Sequence, residues 1–222
     1  MFGINKPYFL GVDFGTSYIK AVELTLRKGL PELVNYGYIE MSFTEGKNAL
    51  LPAHSPEKAV HDHLVALLKT LSPKAKAVCM ALPGFSGLIT LIELPAMEAA
   101  ELEQAIQFEA HKYIPAPLED VAFSWEVISR KDKNESMSGK KTMEVLLVAA
   151  LKKEVSKFEH YIDGMNLPVD LLELEVFSLA RAVSGDRSGS SLIVDIGSRA
   201  TNLVLVRDGD VRLNRSLNTG GN

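Results

Sequence analysis

Two stretches that repeat one pattern decide the fold, namely FLGVDFGTSYIKAVEL at Phe9–Leu24 and LIVDIGSRATNLVLV at Leu192–Val206. Each contains an apolar run, an aspartate, one apolar residue, a glycine and a hydroxyl residue, and then a second apolar run. Apolar runs separated by a short glycine-containing turn are typical of a β-hairpin. The sequence therefore predicts two hairpins, near opposite ends of the chain, whose turns each follow an aspartate.

The composition of these turns suits the binding of phosphate and a metal ion. Glycine lets backbone N–H groups approach an anion closely, and successive N–H groups in a tight turn form an anion site. Serine and threonine add hydroxyl donors, and an aspartate at a strand end can hold hydrated Mg²⁺. One such turn is weak evidence, because Asp-Gly turns occur in many purely structural hairpins. Two turns together favour a phosphate clamp between two domains.

The overall composition argues against several classes of protein. The chain has 222 residues and a formal net charge of −4, so a nucleic-acid partner is not expected. Cys79 is the single cysteine, which excludes an internal disulfide and fits a reducing compartment. No apolar run approaches the roughly 20 residues that span a bilayer. We therefore expect a cytoplasmic protein that reaches the membrane only through a partner.

Hydrophobic periodicity along the chain predicts alternating strands and helices. Met41–Pro56 and Arg130–Lys141 are predicted loops, and the small residues of Ser184–Ser191 indicate a domain boundary. Strands are predicted at Tyr8–Asp13, Ile19–Leu26, Pro31–Glu40, Ala75–Leu82, Gly87–Leu94, Val121–Ser129, Met143–Ala150 and Val169–Leu174. Helices are predicted at Pro56–Leu71, Glu98–Tyr113, Lys152–Met165 and Phe177–Val183.

The two turns resemble the two phosphate motifs of the actin and sugar-kinase superfamily. The rest of the chain resembles one branch of it, the PilM proteins, which are relatives of the division protein FtsA. The stretches that carry this resemblance follow the family's order over most of the chain: GVDFGTSYIKAVEL (11–24), ALPGFSGLITLIELPAM (81–97), ELEQAIQFEAHKYIPAPLEDVAFSWEV (101–127), EVLLVAALKKEV (144–155), LPVDLLELEVFSLARA (167–182) and LIVDIGSRATNLVLV (192–206).

The resemblance implies an α/β, actin-like architecture built on RNase H-like domains. It implies a first domain at 1–83, a small inserted α+β domain at 84–167, a return to the first domain at 168–189 and a second RNase H-like domain from 190 to 222. The family's remaining part of the second domain has no counterpart in this sequence, so the resemblance implies an incomplete second domain and a fragment of a longer protein.

The resemblance also implies ATP and Mg²⁺ as cofactors. Asp13 and Asp195 match the residues that hold Mg²⁺ through water, and Glu175 matches a polar residue that orients an attacking water. Other interpretations stay open, because Lys20 can be a solvated strand-end lysine and Glu175 part of an exposed helix start. The hydroxyl residues of the turns can be local caps. The residues that match the nucleotide-binding loops are Asp13, Gly15, Thr16, Ser17, Lys20, Asp195, Gly197, Ser198 and Thr201.

The function implied by the resemblance is that of a scaffold in type IV pilus assembly. Such a protein binds the cytoplasmic tail of a PilN-like membrane protein and contacts other platform and motor proteins, at the inner membrane, with slow ATP turnover at most. The apolar positions of Leu82–Leu94 and the strand Val121–Val127 are candidate walls of the groove for that tail, although ordinary core is the alternative. A small-molecule kinase and an FtsA-like cell-division ATPase are the alternative functions.

Overall fold

A computed structural model describes residues 8–41, 56–131, 141–185 and 188–221 of the chain. The predicted loops at Met41–Pro56 and Arg130–Lys141 lie almost entirely outside these ranges. The described elements are β1 (Tyr8–Phe14), β2 (Tyr18–Arg27), β3 (Leu30–Glu40), α1 (Pro56–Leu71), β4 (Val78–Leu82), β5 (Gly87–Pro95), α2 (Ala99–Ala110), β6 (Val121–Lys131), β7 (Thr142–Leu151), α3 (Lys152–His160), β8 (Val169–Leu174), α4 (Glu175–Ser184), β9 (Ser190–Ile196), β10 (Thr201–Arg207) and β11 (Asp210–Leu217).

The first sheet has five strands in the order β3-β2-β1-β4-β8. Strands β1 and β2 are antiparallel, whereas β4 runs parallel to both β1 and β8. Asp13 in β1 therefore pairs with Ala81 in β4, and Ala81 pairs in turn with Glu173 in β8. The carboxyl ends of parallel strands meet at one edge of a sheet, which is where open α/β sheets usually carry ligand sites.

The core of this sheet lies on one face, under α1 and α3. Leu64 of α1 is fully buried there, and Phe14 at the end of β1 is only 4% exposed. The Phe14 ring packs against Phe158 and Tyr161, with ring centroids 5.2 and 5.4 Å away. Helix α3 ends at His160, five residues before the predicted end. The chain continues in turns with shorter-range hydrogen bonds and a positive φ at Gly164.

The middle sheet has the order β5-β7-β6 and carries α2 on one face. Ile106 of α2 is fully buried against Met143 and Leu147 of β7, so this unit has its own core. Helix α2 ends at Ala110, whereas the sequence predicted Tyr113. The last residues form a turn in which the Tyr113 N–H donates to the Ala110 carbonyl, shortly before Pro115.

The C-terminal sheet has the order β11-β10-β9 and repeats the arrangement β3-β2-β1 of the first sheet. Helix α4 packs against it, and Val176 and Ala180 share a core with Val204 and Val206. The opposite face of the C-terminal sheet is apolar and exposed, with Ile196 accessible to 66%. The α/β architecture predicted from the sequence, with a small inserted unit and a second three-stranded sheet near the C-terminus, is what the structure shows. None of the helices described is long and apolar enough to cross a membrane.

Candidate functional site

A cleft of about 710 Å³ lies where the turns of the two repeated hairpins meet. One wall is the turn Gly15–Ser17 with the strand ends beside it, and the other is the turn from Gly197 to Ala200. The first turn of α4 contributes Glu175 to the lining. Helix α4 begins at Glu175, two residues before the predicted start, because β8 passes directly into it at Leu174. The fold therefore brings both predicted phosphate loops into one site.

The two turns share one backbone design. The Gly15 N–H donates to the Tyr18 carbonyl at 3.0 Å, and the Gly197 N–H donates to the Ala200 carbonyl at 2.9 Å. A Cβ atom at Gly15 would lie 2.9 Å from that Tyr18 oxygen, and one at Gly197 would lie 3.0 Å from the Ala200 oxygen. A side chain at Gly15 would therefore force the turn to shift, and one at Gly197 would crowd the carbonyl of Ala200. No other described residue accepts a hydrogen bond from the backbone N–H groups of Thr16, Ser17, Ser198 or Arg199, which leaves these donors for a ligand.

In the first hairpin, the aspartate pairs with a lysine across the strands. Asp13 and Lys20 are register partners, and Lys20 Nζ donates to Asp13 Oδ2 at 2.9 Å. Partial burial by itself lowers the pKa of Lys20, but the hydrogen bond to Asp13 and the charges of Asp13, Asp195 and Glu175 outweigh it and raise that pKa. Lys20 is therefore a positive charge held by the carboxylates of the cleft.

In the second hairpin, the corresponding residue is an asparagine. Asp195 and Asn202 are register partners, and Asn202 Nδ2 donates to Asp195 Oδ2 at 3.2 Å. The same amide nitrogen donates to Glu175 Oε1 at 2.9 Å. Asn202 is 3% exposed, and its Oδ1 accepts a hydrogen bond from Ser216 Oγ at 2.7 Å. Asn202 therefore links two carboxylates of the cleft.

Glu175 is half-buried, and this differs from the alternative in which it lies on an exposed helix face. Burial raises its pKa, and the negative charges of Asp13 and Asp195 raise it further. Hydrogen bonds from the Gly84 N–H, at 2.6 Å, and from Asn202 act in the opposite direction without cancelling the shift. The three carboxylates are therefore electrostatically coupled.

The charge of the cleft decides which ligand it fits. Three carboxylates, Asp13, Glu175 and Asp195, face one ammonium, Lys20, among the described residues that line it. Two like charges about 4 Å apart repel by about 4 kcal/mol at an effective dielectric constant of 20, so a bare polyphosphate is opposed. A divalent cation removes this penalty, and Mg²⁺ prefers one or two carboxylates, phosphate oxygens and water. The residues present therefore fit a nucleotide with Mg²⁺.

Two carboxylates, Asp13 and Asp195, are the candidate protein ligands of such a cation. Mg²⁺ usually takes one or two carboxylates and completes its coordination with water and phosphate oxygens, so these residues would suit a largely hydrated ion.

The structure places most of the predicted site residues together. Thr201 is the exception, since it is absent from the cleft lining and its Oγ1 donates to the Thr219 carbonyl at 2.7 Å. Its assignment as a nucleotide ligand stays a prediction. The predicted residues that line the cleft are Asp13, Gly15, Thr16, Ser17, Lys20, Glu175, Asp195, Gly197 and Ser198.

Two residues near the site were missed in the sequence. Asn202 directly precedes the apolar run Leu203–Val206 and lies at the position that Lys20 occupies in the first repeat, so aligning the repeats would have identified it. Gly220 packs so closely on the second turn that a Cβ atom there would overlap the backbone of Ser198 and Arg199. The Thr-Gly-Gly sequence gave no local signal of this tertiary contact.

The sequence comparison identifies one family. Residues 11–222 match the family described as type IV pilus assembly protein PilM. The match covers both predicted phosphate loops, the middle sheet and the C-terminal sheet.

Comparisons with solved structures agree on the fold. A PilM-PilN type IV pilus biogenesis complex matches with a TM-score of 0.75 and 24% identity over 96% of this chain and 62% of that chain. The cytoplasmic domain of EpsL, an inner membrane component of the type II secretion system of Vibrio cholerae, matches with a TM-score of 0.60 and 14% identity over 95% and 71% of the two chains. A Bacteroides thetaiotaomicron protein with an actin-like ATPase fold and unknown function matches with a TM-score of 0.50 and 13% identity. That match covers 97% of this chain and 71% of the other. The present chain thus spans about 62% of the length of its PilM relative.

Proposed function

Since the chain belongs to the family of the type IV pilus assembly protein PilM, we propose that it is an ATP-binding scaffold that holds the cytoplasmic tail of a PilN-like membrane protein. The chain is an actin-like protein of type IV pilus assembly. The proposal adds four properties to this family membership: ATP binding, tail binding, contacts with other platform and motor proteins, and a cytoplasmic position at the inner membrane.

The observation that carries the proposal is the pair of matched turns around a cleft that needs a cation. Thr16 and Ser17 on one side and Ser198 on the other offer backbone N–H groups, and Lys20 supplies an ammonium. Helical or looped N–H groups of this kind are common phosphate ligands. In this proposal Asp13 and Asp195 hold hydrated Mg²⁺, which would neutralise phosphate charge.

Glu175 is the residue that we propose to orient a water. Both of its described hydrogen bonds go to Oε1, from Gly84 and Asn202, and Oε2 makes none to a described residue. A carboxylate fixed at one oxygen can accept a hydrogen bond from water at the other. In this proposal turnover is slow at most, and ATP acts mainly as a conformational ligand.

The site for the tail lies, in this proposal, between the first and middle sheets. Leu82, Ile89, Ile92 and Leu94 are buried core residues, so they cannot contact a peptide directly. The partly exposed positions in the same segment, such as Leu91, are the remaining candidates for its wall. The PilM-PilN complex among the structural matches supports a partner of this kind.

Two calorimetric titrations test the proposal. The 222-residue chain is titrated with ATP in the presence and absence of Mg²⁺, and separately with a PilN tail peptide, with a scrambled peptide as the control. We expect ATP to bind only with Mg²⁺ and the tail peptide to bind in preference to its scrambled form. Absence of both interactions, or phosphoryl transfer from ATP to a small molecule, would contradict the scaffold function.

A further inference from the structure

Asn202 uses all of its hydrogen-bonding groups inside the protein core. Its Nδ2 contributes one N–H to Glu175 Oε1 and one to Asp195 Oδ2, and its Oδ1 accepts from Ser216. A buried amide is costly unless its donors and acceptor are satisfied. Three hydrogen bonds therefore fix the position of the Asn202 amide. A movement of either carboxylate, Asp195 or Glu175, shifts this amide and so alters its hydrogen bond to the other carboxylate.

Glu175 connects this amide to the start of the middle sheet. Its Oε1 also accepts the N–H of Gly84, the first residue of the short 3-10 turn Gly84–Ser86 that leads into β5. Gly84 also packs closely against Asn202 itself, because a Cβ atom at Gly84 would lie 3.0 Å from Asn202 Oδ1. Asp195, Asn202, Glu175 and Gly84 thus form one continuous chain of contacts from the cleft to the middle sheet.

We propose that Asn202 is a positioning residue that couples occupancy of the phosphate cleft to the attachment of the middle sheet at Gly84. This inference rests on the proposed binding of ATP with Mg²⁺. A cation or phosphate bound at Asp195 would fix the carboxylate that accepts from Asn202 Nδ2, and the same nitrogen donates to Glu175 Oε1. Since Glu175 Oε1 also accepts the Gly84 N–H, a ligand that orders Asp195 would hold this hydrogen bond more firmly.

The chemistry of the amide explains why asparagine suits this position. Aspartate would add a fourth carboxylate to the cleft and would lose both donors. Lysine, which occupies the corresponding position of the first hairpin, has no acceptor for Ser216. Asparagine is neutral and offers two donors and one acceptor, which match the three groups around it.

The test measures amide hydrogen exchange by NMR on the isotope-labelled 222-residue chain, with and without ATP and Mg²⁺. We expect ligand binding to slow exchange of the Gly84 amide about tenfold, a typical effect of strengthening one charge-assisted hydrogen bond. The Ala75 amide is the internal reference, because it also donates to a buried glutamate, Glu23, at 2.8 Å but lies outside the cleft lining.

Two variants separate coupling from loss of structure. Asn202→Asp keeps the shape but replaces the donors, and we expect ATP to leave Gly84 exchange unchanged in it while the Ala75 amide stays protected. Asn214→Ala is the matched control: Asn214 also reaches Gly84, through a 3.5 Å contact from Nδ2 to the Gly84 carbonyl, but lies outside the cleft lining. The ATP response should persist in this control.

The outcomes distinguish this inference from the proposed function. Failure of the wild-type chain to bind ATP with Mg²⁺ in calorimetry would overturn both. Binding with unchanged Gly84 exchange, or an ATP response that survives in Asn202→Asp, would overturn the coupling alone. If Asn202→Asp unfolds, which would appear as loss of Ala75 protection, the same measurement is made on Ser216→Ala. This variant leaves the carboxylates in place, and we expect it to weaken the response of the Gly84 amide to ATP. An unweakened response in Ser216→Ala would also overturn the coupling.

Discussion

The hairpins β1–β2 and β9–β10 share a backbone but differ in chemistry and burial. Both place an aspartate at a strand end, close the turn with the same N–H to carbonyl bond, and continue into a third strand through a turn with positive φ, at Lys28-Gly29 and Asp208-Gly209. The partner of the aspartate is Lys20 in the first hairpin and Asn202 in the second. The two turns thus share a backbone, and these two partners decide how charge is distributed beside each aspartate.

Burial separates the two hairpins as strongly as charge does. Phe14 follows the first aspartate and is packed under α3, whereas Ile196 follows the second and is 66% exposed. The first sheet continues through β4 and β8 beside β1, while β9 has no further strand partner among the described residues. The first hairpin is therefore part of a closed core, and the described part of the second is covered on one face.

The largest expected effect tests this difference in burial. Phe14→Ala should lower the free energy of unfolding by about 3–5 kcal/mol, because it removes a buried ring and leaves a cavity. Ile196→Ala, at the equivalent position, should change it by less than about 0.5 kcal/mol. Urea denaturation followed by circular dichroism measures both. Similar losses in the two variants would mean that the second hairpin is as deeply packed as the first.

The second effect concerns a buried carboxylate that the second hairpin lacks. Glu23 is 3% exposed and accepts the N–H groups of Lys74 and Ala75 at 2.6 and 2.8 Å, whereas Leu205 occupies the equivalent position in β10. Glu23→Ala should cost about 2–3 kcal/mol, because it leaves a buried donor unsatisfied. The same denaturation assay measures it.

Glu23→Gln is the matched control for that variant, since both N–H groups donate to the single oxygen Oε1 and an amide oxygen at that position can still accept both bonds. We expect a smaller loss than for Glu23→Ala. If both substitutions cost the same, charge rather than hydrogen bonding accounts for the role of Glu23.

The sequence predicted the fold well because its signals are local. Strand and helix positions follow from apolar periodicity, and the two Asp-x-Gly turns identify the hairpins that build the cleft. Helix ends were the weak point, since α3 ends at His160 through turn geometry that spacing does not reveal. Which sheet face is buried was not predictable either. Phe14 and Ile196 are both apolar residues that follow an aspartate, and only tertiary packing makes one buried and the other exposed.

For the site, the sequence identified the residues but not their connections. The two turns were predicted to form one clamp, and the structure places Asp13, Lys20, Asp195 and Glu175 in one cleft. The link through Asn202 and Gly84 joins segments far apart in the chain, so local patterns cannot show it. Predicting it required the register of β9 and β10 and the position of the first turn of α4.

The third prediction concerns Lys20, whose charge has no counterpart at the equivalent Asn202 of the second hairpin. Lys20→Asn gives the first hairpin the partner residue of the second and should weaken ATP–Mg²⁺ binding by about 1.5–3 kcal/mol, the worth of a hydrogen bond to a charged group. Calorimetry measures the affinity. Lys28→Asn is the control, since Lys28 lies in the turn at the far end of the same hairpin and outside the cleft lining. Equal affinities of Lys20→Asn and wild type would exclude Lys20 as a phosphate ligand.

The smallest effect is a dependence of stability on pH that arises from Glu175. Its pKa in the folded protein is raised above the ordinary value of 4.5, mainly by burial and then by Asp13 and Asp195. The folded state therefore binds this proton more tightly than the unfolded state, so this contribution to stability falls as pH rises from 4.5 through the raised pKa. Glu175→Gln should flatten the dependence of unfolding free energy on pH in that window, which urea denaturation at a series of pH values measures.

Asp195→Asn should flatten this dependence only partly, because it removes one repulsive charge and leaves the burial of Glu175 intact. A profile unchanged by Glu175→Gln would assign the pH dependence to another group and would contradict the electrostatic coupling of Glu175 to the aspartates of the two hairpins.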